Sequence, residues 1–294
     1  MLLLLSIIII IQLFNHTYMK YILIFFFFIS SQFTFSQEEC YVISVKGTIL
    51  KKSSGQVVKP NDQLKPTDQL VFKTKDAAAL CESRTKGSFV IKPKQEHQTG
   101  IFTVVEGVVN DYLKLSSGRL STRAVFSCDH EDFISFLSRD SYLLIGDTAY
   151  IKNCEKLYPQ SGTSYFLLQY QVAGDFQQAK LGNEMNKIKF ISSSIFMVDG
   201  VQVNAEDVTG YELWYSKEGQ SPSKVCSFHP HFVSGSELKA TLVSYLAHTG
   251  YSKLPEKQQI DSIKVVIANY YGTPDHDELI TWLKKNFNLT YPEK

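Results

Sequence analysis

Two apolar runs at the amino end, residues 2–13 and 18–29, decide which part of this chain is free to build a fold. Each is about 12 residues, against roughly 20 for a helix that crosses a bilayer and about 7–15 for the apolar stretch of a secretory leader. Asn15, His16 and Thr17 separate them. Met19 then restarts the pattern with basic Lys20, the run 22–29 and a polar exit through Ser30, Ser31 and Thr34 to Ser36. Residues 1–36 are therefore expected to be a signal peptide with its true start at Met19, cleaved ahead of Gln37. The alternative is an anchor made of both runs and kept. A lipoprotein is not expected, because Glu38 and Glu39 stand where small residues would precede Cys40. The localisation that follows is periplasmic or extracellular.

Beyond the leader 258 residues remain, enough for two ordinary domains. One of the 30 basic residues, Lys20, lies in the leader, which leaves 29 basic against 29 acidic residues and a formal charge of zero. A nucleic-acid partner is not expected, since phosphate tracking needs a concentrated basic stripe and here the two signs are interleaved. Five cysteines, Cys40, Cys81, Cys128, Cys154 and Cys226, are widely spaced with no Cys-x-x-Cys. The odd count leaves at least one thiol unpaired within the chain, spacing does not give connectivity, and no more than one bridge is expected.

Residues 37–157 read as short strands and turns: 41–45, 48–50, a turn at 51–55, a return at 56–58, then 71–74, 77–81 and 87–93. Pro-x-Asp-Gln-Leu occurs twice, at residues 60–64 and 66–70, each a turn opener ahead of an apolar residue. Gly47, Asp62, Leu64, Asp68, Leu70, Thr74, residues 77–80, Gly87 and Pro93 follow in an order that resembles the β-rich periplasmic domain of FecR-type proteins over about residues 41–93. The resemblance implies a small sandwich or SH3-like barrel. The family's cytoplasmic anti-sigma segment has no counterpart ahead of the apolar runs, so a sigma-regulatory role is not expected to carry over.

Further on, a strand is expected at 101–105, a loop at 115–119, a helix at 129–137 capped by Asp129, and a hairpin from 142–145 and 148–151. The turn-rich stretch 158–163 is the expected linker to a second domain, residues 158–294. That domain reads as strands at 164–171, 187–191, 195–198, 201–203, 211–215 and 224–228. A helix at 237–248 capped by Ser236 follows, then a strand at 263–268, and a helix from Asp275 to Phe287 with Pro274 at its first position. The fold class expected is α+β, a β-rich domain followed by an α+β domain with two C-terminal helices.

Five clusters could carry chemistry. Cys226, His229 and His231 offer a thiolate and two imidazoles to zinc, or a thiol with a base, yet a paired half-motif is missing. Residues 128–132 (Cys-Asp-His-Glu-Asp) and 275–278 (Asp-His-Asp-Glu) are polar enough for ligands, but acids at a helix start favour the macrodipole and account for both. Ser221 with Lys224, and Ser83 with Lys86, match Ser-x-x-Lys without the motifs that accompany it in acyl-enzymes. Gly-x-Ser-x-Gly, His-Glu-x-x-His, the P-loop and Gly-x-Gly-x-x-Gly do not occur. No catalytic, cofactor or metal residue is therefore assigned and no cofactor expected. The reading is an exported, non-enzymatic binding or scaffolding protein of a bacterial cell envelope. Its expected partner is an envelope protein or glycan, with a membrane only if the amino-terminal segment is kept. The alternative is a cell-wall hydrolase or transferase with a Cys or Ser nucleophile.

Overall fold

A computed structural model describes residues 39–74, 76–93, 105–108, 112–114, 128–138, 141–204 and 207–290. The leader and the elements expected at 101–104 and 115–119 lie outside these residues. The fold is α+β, and the described residues pack as one compact unit.

The first layer is a pair of small antiparallel sheets. One has the order β3 (Gln63–Leu64), β1 (Cys40–Lys46), β5 (Ala78–Ser83), β6 (Gly87–Ile91), β8 (Tyr112–Lys114). The other is β2 (Ile49–Lys51), β4 (Gln69–Phe72), β7 (Val105–Val108). Both Pro-x-Asp-Gln-Leu units fold alike: the Asp62 carboxylate accepts from Lys59 N at 3.0 Å and the Asp68 carboxylate from Lys65 N at 2.9 Å, so each turn closes on its own aspartate. Leu64 and Leu70 then drop into the core between the sheets, beside Val42, Phe72, Ala79, Cys81 and Phe89. The expected return strand at 56–58 is a single bridge, Leu50 to Val57. Gly47, at φ +66°, has no room for a side chain, because a Cβ would sit 2.1 Å from Thr74 Oγ1.

Alternation sends the other face of the larger sheet elsewhere. Ile43, Ala78, Leu80 and Val90 enter a second core with three helices, α3 (Gly235–Thr249), α4 (Glu256–Tyr270) and α5 (His276–Phe287). Of the faces expected for the first and last of these, Leu238, Leu242, Tyr245 and Leu246 on α3 and Leu279 and Leu283 on α5 are buried, while Ile280 and Phe287 on α5 are half-buried against the same core. Their starts differ by a residue or two from expectation. Ser234, not Ser236, caps α3, accepting from Glu237 N, and Asp275 caps α5, which puts Pro274 outside the helix.

Residues 263–268, expected as a strand, are the middle of α4. The apolar run misleads because its helical register shows only over a longer window: Ile260, Ile263, Ile267 and Tyr270 recur at three- and four-residue steps and are buried.

The strands β9 (Tyr142–Ile145) and β10 (Thr148–Lys152) were expected to form a hairpin, but each joins a different sheet. Gly146, at φ +86°, turns the chain between them. The first is the centre of a parallel sheet, flanked by β19 (Pro230–Val233) and β20 (Thr273–Pro274). Leu143 faces the helices, whereas Tyr142 and Leu144 face a third core.

That third core is wrapped by antiparallel strands. One sheet is β12 (Asp175–Lys180), β11 (Tyr165–Val172), β17 (Val208–Ser216), β18 (Ser223–Ser227), and another is β10, β14 (Lys187–Ile191), β13 (Gly182–Glu184). A short hairpin of β15 (Met197–Val198) and β16 (Val201–Gln202) turns at Asp199 and Gly200 as expected. Helix α1 (His130–Leu137) buries Phe133, Phe136 and Leu137 here, with Asp129 as its cap, and α2 (Ser192–Ile195) adds one turn. A disulfide between Cys128 and Cys154 ties the start of α1 to the end of the β10 segment. The stretch expected to be a linker is part of this core: the Tyr158 ring packs on Phe133, Phe166 and Tyr215. Among the described residues no helix is long and apolar enough to cross a membrane.

Candidate functional site

The carboxyl ends of β9, β19 and β20 lie together, and two of those strands run straight into capped helices, α3 after Val233 and α5 after Pro274. In parallel sheets this edge is where ligands are held. A cleft of about 160 Å³ opens there, floored by Leu143–Ile145 and Ala149 and walled by Tyr150, Asp275, Glu278, Trp282 and Lys285. Ordinary small-molecule pockets run from roughly 300 Å³ upward. The cleft is smaller than that range.

Its electrostatics are mixed. Lys187 reaches across from β14 to Glu278 on α5 at 2.7 Å, and that bond raises the lysine's pKa above its ordinary value. Asp275 Oδ1 accepts from the amides of Asp277 and Glu278 at 3.0 and 3.1 Å, while burial pushes its carboxyl above the usual range. Tyr150 donates to Glu184, which also holds Lys189 at 2.6 Å. Two carboxylates, one ammonium group and two aromatic rings thus stand around an apolar floor.

The residues singled out from sequence go to different places. Cys226 is buried in the third core, where burial raises its thiol to about 11 and leaves it protonated at neutral pH. His229 is exposed and its carbonyl accepts from Tyr142 N. His231 stacks on Tyr271, ring centroids 5.8 Å apart, so the three do not converge. Among the described residues no group of three His, Cys, Asp or Glu is placed to hold a metal. Both acidic clusters lie at helix starts, as expected; Asp129 is the expected cap, whereas Asp275 caps α5 instead of lying inside it. Ser221 is exposed and Lys224 pairs with Glu212 at 2.5 Å; Ser83 Oγ accepts from Lys86 N in the β5–β6 turn. Neither Ser-x-x-Lys match opens a helix.

Sequence reasoning missed the cleft, because Leu143, Tyr150 and Trp282 come from separate elements with no spacing to connect them. It also missed a seam of hydroxyls between β1 and the helices. Thr241 Oγ1 lies 3.1 Å from Ser44 Oγ and 2.8 Å from Tyr271 OH, and Tyr270 OH donates to Ser44 at 3.3 Å. Tyr271 OH donates in turn to Glu237 at 3.3 Å. These side chains satisfy one another, as buried polar groups must.

His231 makes this region acid-sensitive. Burial, with help from Lys46 and Lys92, lowers its pKa to about 3, so between that pH and about 6.5 the unfolded chain binds a proton that the folded chain refuses. Stability due to this group is complete above pH 6.5 and is lost as pH falls toward 3. His231→Phe should flatten the decline in urea midpoint from pH 6.5 to 4; an unchanged slope would place the acid sensitivity elsewhere.

Comparison with protein-family models, with curated proteins and with solved structures finds no match to this chain. Fold and cleft together define an α+β protein with a small recess at the edge of a parallel sheet.

Proposed function

We infer that the protein is an exported binding module of a bacterial cell envelope, which grips one projecting group of an envelope protein or glycan in the cleft beside Trp282. The observation that carries binding over chemistry is that the reactive side chains are committed elsewhere. The Cys226 thiol is buried and protonated, His231 is stacked on Tyr271, and the serines of both Ser-x-x-Lys matches sit in a turn or a loop. Export is supported by the leader-like residues 1–36 and by the Cys128–Cys154 bridge, since disulfides persist in oxidising compartments. The FecR-like order of residues 41–93 supports an envelope setting.

The test is co-sedimentation with purified cell-wall glycan and capture from envelope extracts. Trp282→Ala should lower retention at least tenfold, the loss of about 1.4 kcal/mol or more. The triple change Cys226→Ala, His229→Ala, His231→Ala should leave retention unaltered. A triple variant that folds normally by circular dichroism yet matches the gene deletion would replace this reading with a cysteine or metal enzyme.

A further inference from the structure

Cys40, Cys81 and Cys226 are free thiols, all buried. Two of them are neighbours. Val42 stands opposite Cys81 in the β1–β5 ladder, and Cys40, two residues earlier on β1, shares that face. Both enter the first core, at 3% and 0% exposure, and their thiol groups are hydrogen-bonded to each other. Cys226 sits in the third core, apart from both.

We propose that Cys40 and Cys81 form a second disulfide when the protein meets a disulfide oxidant, tying β1 to β5 around the loop that holds both Pro-x-Asp-Gln-Leu units. The two side chains lie on one face of adjacent strands, in the same core, so bond formation asks for side-chain rotation and an approach of those strands rather than refolding. This inference rests on the exported setting proposed above, which the Cys128–Cys154 bridge supports.

The order of events follows from the hydrogen bond. The Cys81 side chain, aided by Lys86, holds the Cys40 thiol below its usual pKa, while the pairing and burial push the Cys81 thiol up. Cys40 therefore ionises first. Its thiolate attacks one sulfur of an oxidant R–S–S–R, making a Cys40–S–S–R mixed disulfide and releasing RS⁻, which takes up the proton Cys40 lost. Cys81 then gives up its proton and attacks the Cys40 sulfur. The Cys40–Cys81 bond forms and the second RSH leaves. Two protein thiols are oxidised and one oxidant disulfide is reduced to two thiols.

The experiment is a peptide map of the purified protein held in its native state with glutathione disulfide, quenched in acid, alkylated after denaturation and digested without reductant. The expected product is a Cys40–Cys81 linked peptide, two hydrogens lighter than the sum of its parts, alongside the Cys128–Cys154 peptide and alkylated Cys226. In Cys81→Ala the Cys40 glutathione adduct should accumulate instead. Recovery of Cys40 and Cys81 both alkylated from the wild-type protein, or of Cys40 held as a lasting glutathione adduct with Cys81 alkylated, overturns the proposal. The wild-type map decides the matter even if Cys81→Ala fails to fold.

Discussion

Cut after residue 157, the chain should yield two fragments of which neither folds. The carboxyl-terminal piece keeps β19 and β20 but loses β9, the strand that lies between them and bonds to both. The amino-terminal piece keeps its two small sheets but presents Ile43, Ala78, Leu80 and Val90 to water, having lost the helices that cover them. At roughly 1.5–3 kcal/mol for each large apolar side chain left uncovered, the loss rivals the total stability of about 5–15 kcal/mol of an ordinary domain. Expressed separately, residues 39–157 and 158–294 should be aggregated or unfolded, with no cooperative melting. Two well-dispersed NMR spectra with sharp transitions would instead establish two independent domains.

Gly272→Ala should be strongly destabilising. Gly272 has φ +123°, and a Cβ there would lie 2.5 Å from Ser141 Oγ, 2.8 Å from Ser141 O and 2.9 Å from Ser141 Cβ. Ser141 cannot retreat: its carbonyl accepts from Thr273 N at 3.0 Å, its hydroxyl donates to Tyr271 O at 3.0 Å, and Tyr142 beside it begins β9. Strain and clash together are expected to cost about 4 kcal/mol. Gly219→Ala is the control, since φ is +73° and its Cβ meets open space, so only the left-handed penalty of about 1–2 kcal/mol remains. Urea denaturation of the two variants should separate them clearly; equal losses would mean that the contact at Ser141 relaxes freely.

Local chemistry was legible in the sequence. Asp129 as a cap, the buried stripes of α3 and α5, the Asp199-Gly200 hairpin and the two aspartate-closed turns all depend on residues within a few positions of one another. What could not be read was long-range pairing. Residues 142–145 and 148–151 look like a hairpin because both are short apolar strands around Gly146-Asp147, and nothing nearby reveals that the first is claimed by strands far along the chain. The run 263–268 looked like a buried strand because a short apolar segment carries no period of its own. The cleft inherits both difficulties, since its floor is β9 and its walls come from β10, β20 and α5.

The position of β9 also has a consequence in time. Its partners follow about 90 and about 130 residues later in the chain, so the parallel sheet closes only when nearly every residue is available. Such pairings carry a loop-closure cost that must be met before any contact rewards it, and they make folding slow. Under the export proposed above, that delay would be useful: the part still inside cannot lock into a knot of structure that would jam its own passage.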